Sequence, residues 1–594
     1  MKRYVFYSCA ALFAASLAAS SASAQTPLIG AIANAATYSP PGIPNSSIPQ
    51  GGFFVLFTAS AGPAAGAAAT GAFQTTLSGV SVSITAGSTT VPALLYFVSG
   101  GQINGVLPSN TPTGSATVTV TYNGATSTAF PFTVVSSSFG FFTSNASGSG
   151  PAISQSFPSY TLNSLTATAK PGDTLIFYGT GLGPAQNDQD ETSSGGAGGN
   201  GVDLRSVDNL DFHMYLGGTE VTSSVLYAGR SAYVALDQID LTIPAGTPSG
   251  CYVPVIIRIG SVVSNSASVA INANNQTCSD PYGLTATQIS QAATGSLKVG
   301  SILLTRLALI GILPGTLPIT EDDAAAHFYN FTGGNILTNP DFLALSSYGS
   351  CQITNCSSTY TCVPSASGLP VTGLNAGSAL SVVPPSETSG SPATQVPTVS
   401  VPSVSTGYYD VKLGSNPLIV GSYPLLNFLQ PGTFTVTGPG GADVQAFSAS
   451  ITVPGVPNST PGAFTWTSPN FSTSSIAVSR SNNLTVNWSG APSSGYMLIS
   501  VGSATLIPNS SPANYNSTTI TCLQPTSAGT ATIPSWLMEA LPASSTVSIG
   551  NGLSFPGAAV LMGIYNPVGT FTAPGLDVGL ANTLITSGQN VNLQ

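Results

Sequence analysis

The sequence predicts an all-β chain of several immunoglobulin-like β-sandwich domains in tandem. Three observations carry this. Apolar and polar residues alternate with a period of two in many short runs, each closed by a turn signal. Charged residues make up only 5% of the chain, so the Glu, Lys and Arg that helices favour are scarce. The polar surface falls instead to Ser, Thr, Asn and Gly, which mix with Val, Ile, Tyr and Phe as strands and turns require. With 42% hydrophobic residues the chain has the apolar material to fold and lacks the high charge of a disordered one.

At 594 residues the chain exceeds one core, and about three to five domains are expected. The first 24 residues read as a secretory signal peptide. Lys2 and Arg3 form the basic start, residues 4–17 the apolar core and Ala22-Ser23-Ala24 the small-residue cleavage site, so the mature chain is expected to begin at Gln25. Cys9 lies inside the apolar core rather than closing it, which argues against a lipoprotein. A second apolar stretch, 299–313, is interrupted by Arg306 and ended by Pro314. It is too short and too charged for a span and reads as buried strands, so no transmembrane span is expected in the mature chain. The expected location is therefore extracellular or at the cell surface.

Strands follow in order. Val80-Ser81-Val82-Ser83-Ile84-Thr85 alternates, as does Ser115-Ala116-Thr117-Val118-Thr119-Val120-Thr121-Tyr122, which runs into the hairpin turn Asn123-Gly124. Residues 253–259 are mostly apolar, and Asn483-Leu484-Thr485-Val486-Asn487-Trp488 alternates again. Composition then sets the boundaries. A first sandwich is expected over 28–136 and a second over 137–280. A β-rich third domain over 285–455 carries a Pro/Ser/Thr-rich loop at 384–405, and a fourth, sandwich domain covers 460–594, after a hinge at 455–462.

Several stretches in fixed order carry a resemblance. They include Asn34-Ala35-Ala36-Thr37-Tyr38, Gly100-Gly101-Gln102-Ile103-Asn104, Tyr178-Gly179-Thr180-Gly181-Leu182-Gly183-Pro184 and Gln238-Ile239-Asp240-Leu241-Thr242-Ile243-Pro244. Residues ~30–272 resemble a paired immunoglobulin-like unit, related to IPT/TIG domains, of uncharacterised secreted proteins of soil bacteria. The half from ~297 onward is more loosely similar to a β-rich region of such proteins, through Gly432-Thr433-Phe434-Thr435-Val436 and Phe464-Thr465-Trp466-Thr467 among others. The resemblance implies an extracellular sandwich pair with no known activity and no catalytic residues.

Six cysteines remain once Cys9 leaves with the leader, and an even number in an exported chain favours disulfides. Cys251 and Cys278 fall in one domain and are expected to pair, tying that domain's end to its body. The pairing of Cys351, Cys356, Cys362 and Cys522 stays open. Their spacing lacks the CxxC pair of a zinc site.

Catalytic equipment is hard to nominate. A net charge of −10 leaves too few cations to neutralise phosphates, so nucleic acid is not an expected partner. Only two histidines exist and no G-x-S-x-G elbow occurs. In Asp211-Phe212-His213-Met214-Tyr215-Leu216, alternation places Asp211, His213 and Tyr215 on one solvated strand face. His327 follows Glu321-Asp322-Asp323, and in a helix Asp323 and His327 would share a face; a solvated loop or helix end is expected there. Asp188, Asp190 and Glu191 form the densest acidic run and are weak calcium candidates, though without the full spacing of a calcium loop. The Leu369-Pro370-Val371-Thr372-Gly373 run has the letters of a sorting signal but lies far from the C-terminus, with no apolar span behind it.

The expected function is thus a secreted or cell-surface structural or adhesive protein, not an enzyme and with no cofactor. Extracellular polysaccharide or cell-surface components are the expected partners. The alternative is an extracellular carbohydrate-binding accessory protein or polysaccharide hydrolase, which would need a pair of carboxyl groups across a cleft.

Overall fold

The computed structural model describes residues 25–184, 203–207, 209–280, 283–310, 319–332, 334, 337, 349–357, 371–385, 397–414, 428–455, 463–469, 476–493, 495–507, 514–548, 554–565 and 569–594. The signal peptide and the 456–462 part of the expected hinge lie outside them. The chain is all-β. Its longest described helix is Ala286–Thr294, started by a capping box in which the Thr285 side chain accepts from the amide of Gln288.

The first sandwich packs two sheets. One orders the strands Leu28–Asn34, Phe53–Ala59, Gln102–Val106, Leu94–Val98 and Ala67–Ala68; the other is built around Phe130–Val135, Gly114–Tyr122 and Val80–Ala86. Alternation decides what each strand buries. Every second residue of Val80–Ala86 is buried, and Val82, Ile84, Val118 and Val120 meet Phe54, Leu56 and Ile103 in one core. The Asn123-Gly124 turn has φ of +49° and +83°, the left-handed pair that a two-residue hairpin loop requires.

The second sandwich also has two sheets. The first runs Thr161–Leu162, Ser154–Phe157, Thr174–Thr180, Asp237–Thr242, Val225–Arg230; the second runs Gly150–Pro151, Ala267–Ile271, Gly250–Ile259, Phe212–Leu216, Thr219–Glu220. Gly250–Ile259 is buried almost throughout because both its faces are covered. Val253, Val255 and Ile257 enter the sandwich core, while Ile256 joins the core of the C-terminal half. That accounts for an apolar run where alternation is absent. Cys251 and Cys278 are disulfide-bonded, with Cα atoms 5.5 Å apart.

The C-terminal half departs from the expected division. One 15-stranded sheet orders Cys351–Ser357, Tyr515–Pro525, Tyr496–Leu506, Ala558–Tyr565, Val578–Leu593, Ser296–Ile310, Ile319–Thr332, Tyr408–Gly414, Val399–Ser405, Ala379–Val383, Gly432–Gly438 and Phe447–Val453 along its path. The last strand of the chain, Val578–Leu593, lies parallel to Ser296–Ile310, the first strand of this half. A single apolar cluster runs from Ile302 to Leu593. The boundary drawn between 285–455 and 460–594 therefore cuts through one sheet and one core. Residues 399–405 also correct the expected 384–405 loop: they form a strand hydrogen-bonded on both sides. Residues 386–396 of that loop lie outside the described part. The apolar 299–313 stretch is a strand up to Ile310, and among the described residues no helix is long and apolar enough to cross a membrane.

Candidate functional site: the joints and the ionisable clusters

The two sandwiches meet at a joint built from the Tyr178–Pro184 segment. Thr180 Oγ1 accepts from the amide of Phe53 in the first sandwich at 2.8 Å and donates to the Ala235 carbonyl at 2.9 Å. Asn34 Nδ2 donates to Ser138 O at 2.9 Å. Arg230, 6% exposed, is ion-paired with Asp237, 0% exposed. Its Nη2 also donates to Gly51 O at 2.7 Å and Gly183 O at 2.9 Å. Asp237 in turn accepts from the amide of Leu182. Burial pushes the Asp237 carboxyl up, and Arg230 with that amide opposes the shift. Gly181, at φ +102°, leaves no room for a side chain: a Cβ would stand 2.4 Å from Ser138 O. The Tyr178–Pro184 segment is thus packed between the sandwiches, and Gly181 is required by that close approach.

A second joint binds the second sandwich to the C-terminal half. Tyr215 and Trp536 stack face to face, centroids 3.9 Å apart and planes 12° from parallel. Gly218 approaches Gly349 so closely that a Cβ would lie 2.6 Å from its carbonyl oxygen. A cavity of about 190 Å³ opens beside them, lined by Tyr215, Pro254, Ile256, Cys351 and Trp536 among others. Tyr215 and Trp536 each turn one ring face to the other beside it. Asp280 belongs to this joint: burial, and after it the Asp280 charge, raises the phenols of Tyr252, Tyr496 and Tyr565, and burial pushes its own carboxyl up to about 7.

His213 sits where alternation places it, beside Asp211. Its Nε2 is 3.1 Å from Asp211 Oδ1 and its Nδ1 2.7 Å from Glu220 Oε1, and Arg258 also reaches Asp211. The hydrogen bond from His213 is the main cause holding the Glu220 carboxyl below its usual range. Both ring nitrogens face carboxylates, and no hydroxyl or thiol nucleophile bonds to them among the described residues; the cluster is an ion-pair network at a sheet edge.

His327 corrects the loop-or-helix expectation. It lies within the strand Ile319–Thr332, and the period of two still puts it on the face of Asp323. The Ala324-Ala325-Ala326 run favours a helix locally, but pairing with Ser296–Ile310 on one side and Tyr408–Gly414 on the other overrides it. Its ring stacks on Tyr408 at 4.8 Å and 15°, and burial lowers its pKa. Asp323 is pushed up to about 6 by burial, reinforced by Asp410 and Asp322. Lys412 pairs with Glu321. An acid that stays protonated near a second carboxylate is the raw material of glycoside hydrolysis. Here, however, Asp323 lies opposite Lys412 and Asp410 opposite Ala325 on adjacent strands of one sheet. The two acids stand side by side on one surface rather than on opposite walls of a cleft. The pair escaped sequence reasoning because their register joins positions almost ninety residues apart.

On the opposite face of the same hairpin, Arg306 and Asp322 are register partners, 0% and 1% exposed. Arg306 Nε donates to Asp322 Oδ1 at 2.6 Å, and Asp322 Oδ2 also accepts the amides of Phe428 and Leu429. The charge that interrupts the apolar run is thus neutralised within the hairpin.

A second disulfide joins Cys351 to Cys522, directly opposed on neighbouring strands. Cys356 is also disulfide-bonded; Cys362 lies outside the described residues. So do Asp188, Asp190 and Glu191, the calcium candidates. No cluster of three metal-binding side chains occurs among the described residues.

Fold and joints together define an all-β chain of two sandwiches locked in tandem onto a large-sheet unit. No family model matches the chain and no curated protein matches it. Among solved structures, the Escherichia coli adhesin FdeC is similar at 12% identity, with 71% of this chain and 95% of that chain covered and a TM-score of 0.14. Domains 5–6 of the S-layer protein SbsC match at 13% identity, over 41% of this chain and 98% of that one, with a TM-score of 0.16. Domains A168–A170 of titin match at 7% identity, over 71% and 92%, with a TM-score of 0.13. Superpositions this weak carry no argument about what the chain does.

Proposed function

We propose that this chain is a secreted or cell-surface structural or adhesive protein whose sandwiches act as a rigid, non-catalytic scaffold. The observation that carries the reading is the buried Arg230–Asp237 pair, which spends a charged cluster on fixing one sandwich to the next. A mobile linker needs no such device. Two further features support it: disulfides, which persist in oxidising compartments, and aromatic and glycine contacts that close the second joint. Extracellular polysaccharide or cell-surface components are the partners this reading favours.

The reading is tested by exporting the chain from a bacterial host and sequencing the mature N-terminus, then assaying it on ester, peptide and glycoside panels. A start at Gln25 and no turnover are expected. A chain that stays in the cytoplasm, or turnover lost on Asp323→Asn, would defeat it.

A further inference from the structure

The two sheets of the second sandwich have different fates. The outer face of the Gly250–Ile259 sheet is covered by the C-terminal half. On the Thr174–Thr180 sheet, among the described residues, the margins of the outer face are exposed, while Ile176 at its centre is 4% exposed. Register assigns its residues: one row runs Leu162, Gln155, Ile176, Asp240, Tyr227, and the next holds Tyr178 and Gln238. Phe157, Tyr160, Leu162, Leu226 and Tyr233 are each 49–63% exposed. Phe157 and Tyr160 pack edge to face at 6.1 Å. Burial raises the Tyr178 phenol, followed by Asp240 and then by Tyr160 and Tyr233. Single exposed apolar residues need no explanation, but three rings and two leucines along the strands of one sheet and the turns between them mark a contact surface.

The polar groups between the rings are amides and hydroxyls. Tyr178 donates to Gln155 Oε1 at 2.9 Å, and Gln238 Nε2 donates to Asp240 Oδ1 at 2.9 Å. Asp240 is the one charge in these rows, and no Lys or Arg stands in them. A polymer bearing phosphates or carboxylates would meet a carboxylate within these rows, and the nearby Arg205 is already paired with Asp203. A neutral polymer rich in hydroxyls meets ring faces for its C–H surfaces and paired donors and acceptors for its hydroxyls. Tyrosine suits this task because its ring is large, stiff and carries its own hydroxyl. Five strands give a platform about 20 Å wide, an extended shape suited to a chain rather than to a single small molecule.

We propose that this outer face of the second sandwich, centred on Tyr178 and flanked by Tyr160 and Tyr233, binds a neutral, hydroxyl-rich polysaccharide chain. The proposal rests on the scaffold reading above and names the partner that the scaffold would hold.

Native gels cast with hydroxyethyl cellulose, mannan or dextran, with polygalacturonate, or with no polymer provide the test, using the mature full-length chain. Retardation is expected in at least one neutral gel and not with polygalacturonate. Tyr160→Ser/Tyr233→Ser should weaken it about tenfold or more, while Val404→Ser, at an exposed apolar residue of the C-terminal half, leaves it unchanged. Gln155→Ala/Gln238→Ala, which keeps every ring, should weaken it too, and unchanged thermal unfolding identifies variants that fold. The proposal is overturned by no retardation in any neutral gel, by retention of the polyanion alone, by folded variants of both kinds that bind like the parent, or by retardation without polymer that the tyrosine variant abolishes, which would make the face a self-association surface. Released reducing ends, measured in the same gels, report on the non-catalytic reading separately.

Discussion

Arg230 and Asp237 form a buried ion pair in the second sandwich, and the same guanidinium donates 2.7 Å across the joint to Gly51 O of the first. Charge, hydrogen bonding and domain placement meet in one side chain. Removing it would leave a buried carboxylate without its partner, along with two carbonyls that have lost a donor.

Arg230→Met is therefore expected to destabilise the sandwich pair by about 3–5 kcal/mol in denaturant unfolding, and Arg230→Met/Asp237→Leu to recover part of that loss. A single variant that unfolds like the parent would mean that the pair does not hold the joint.

The Cys351–Cys522 bond spans 171 residues. In the chain-entropy model such a link is worth about 5 kcal/mol, and the 27-residue Cys251–Cys278 link roughly 3 kcal/mol. Peptide mapping without reduction should recover both pairs, and Cys351→Ser/Cys522→Ser should lower the unfolding midpoint more than Cys251→Ser/Cys278→Ser. Other pairings in the exported protein would contradict the register that opposes Cys351 and Cys522.

Part of this architecture was legible in local sequence. Asn123-Gly124 and the alternation of Val80–Ala86 report interactions between near neighbours. What stayed hidden depends on distant pairing. Nothing in 578–593 announces a partner at 296–310, since a parallel pair needs a long crossover and leaves no turn signal. The same distance hid Asp323 beside Asp410 and drew a false boundary at 455–460. The aromatic face was hidden for another reason: sequence counts tyrosines, but only the covering of one sheet and not the other shows which are exposed.

Asp280 gives the second joint a pH dependence. Its carboxyl is raised from 3.8 to about 7 by burial, so the folded chain keeps a proton that the unfolded chain releases in between. This contribution to stability is complete below about pH 4, falls as pH rises, and is lost above about 7. Asp280→Asn should flatten that part of the profile in urea midpoints recorded from pH 4 to 8. A parent profile that rises across this window, or a variant with the same slope as the parent, would contradict the placement of Asp280.

The most direct test of the scaffold account places binding and turnover in one tube. Mature protein is incubated with insoluble neutral polysaccharide and with whole cells, and both the retained protein and the released soluble fragments are measured. The account predicts retention on a surface with no fragments released, unaffected by His213→Ala, His327→Ala or Asp323→Asn. Steady release of oligosaccharide that stops on Asp323→Asn or Asp410→Asn would contradict it and make the protein an enzyme.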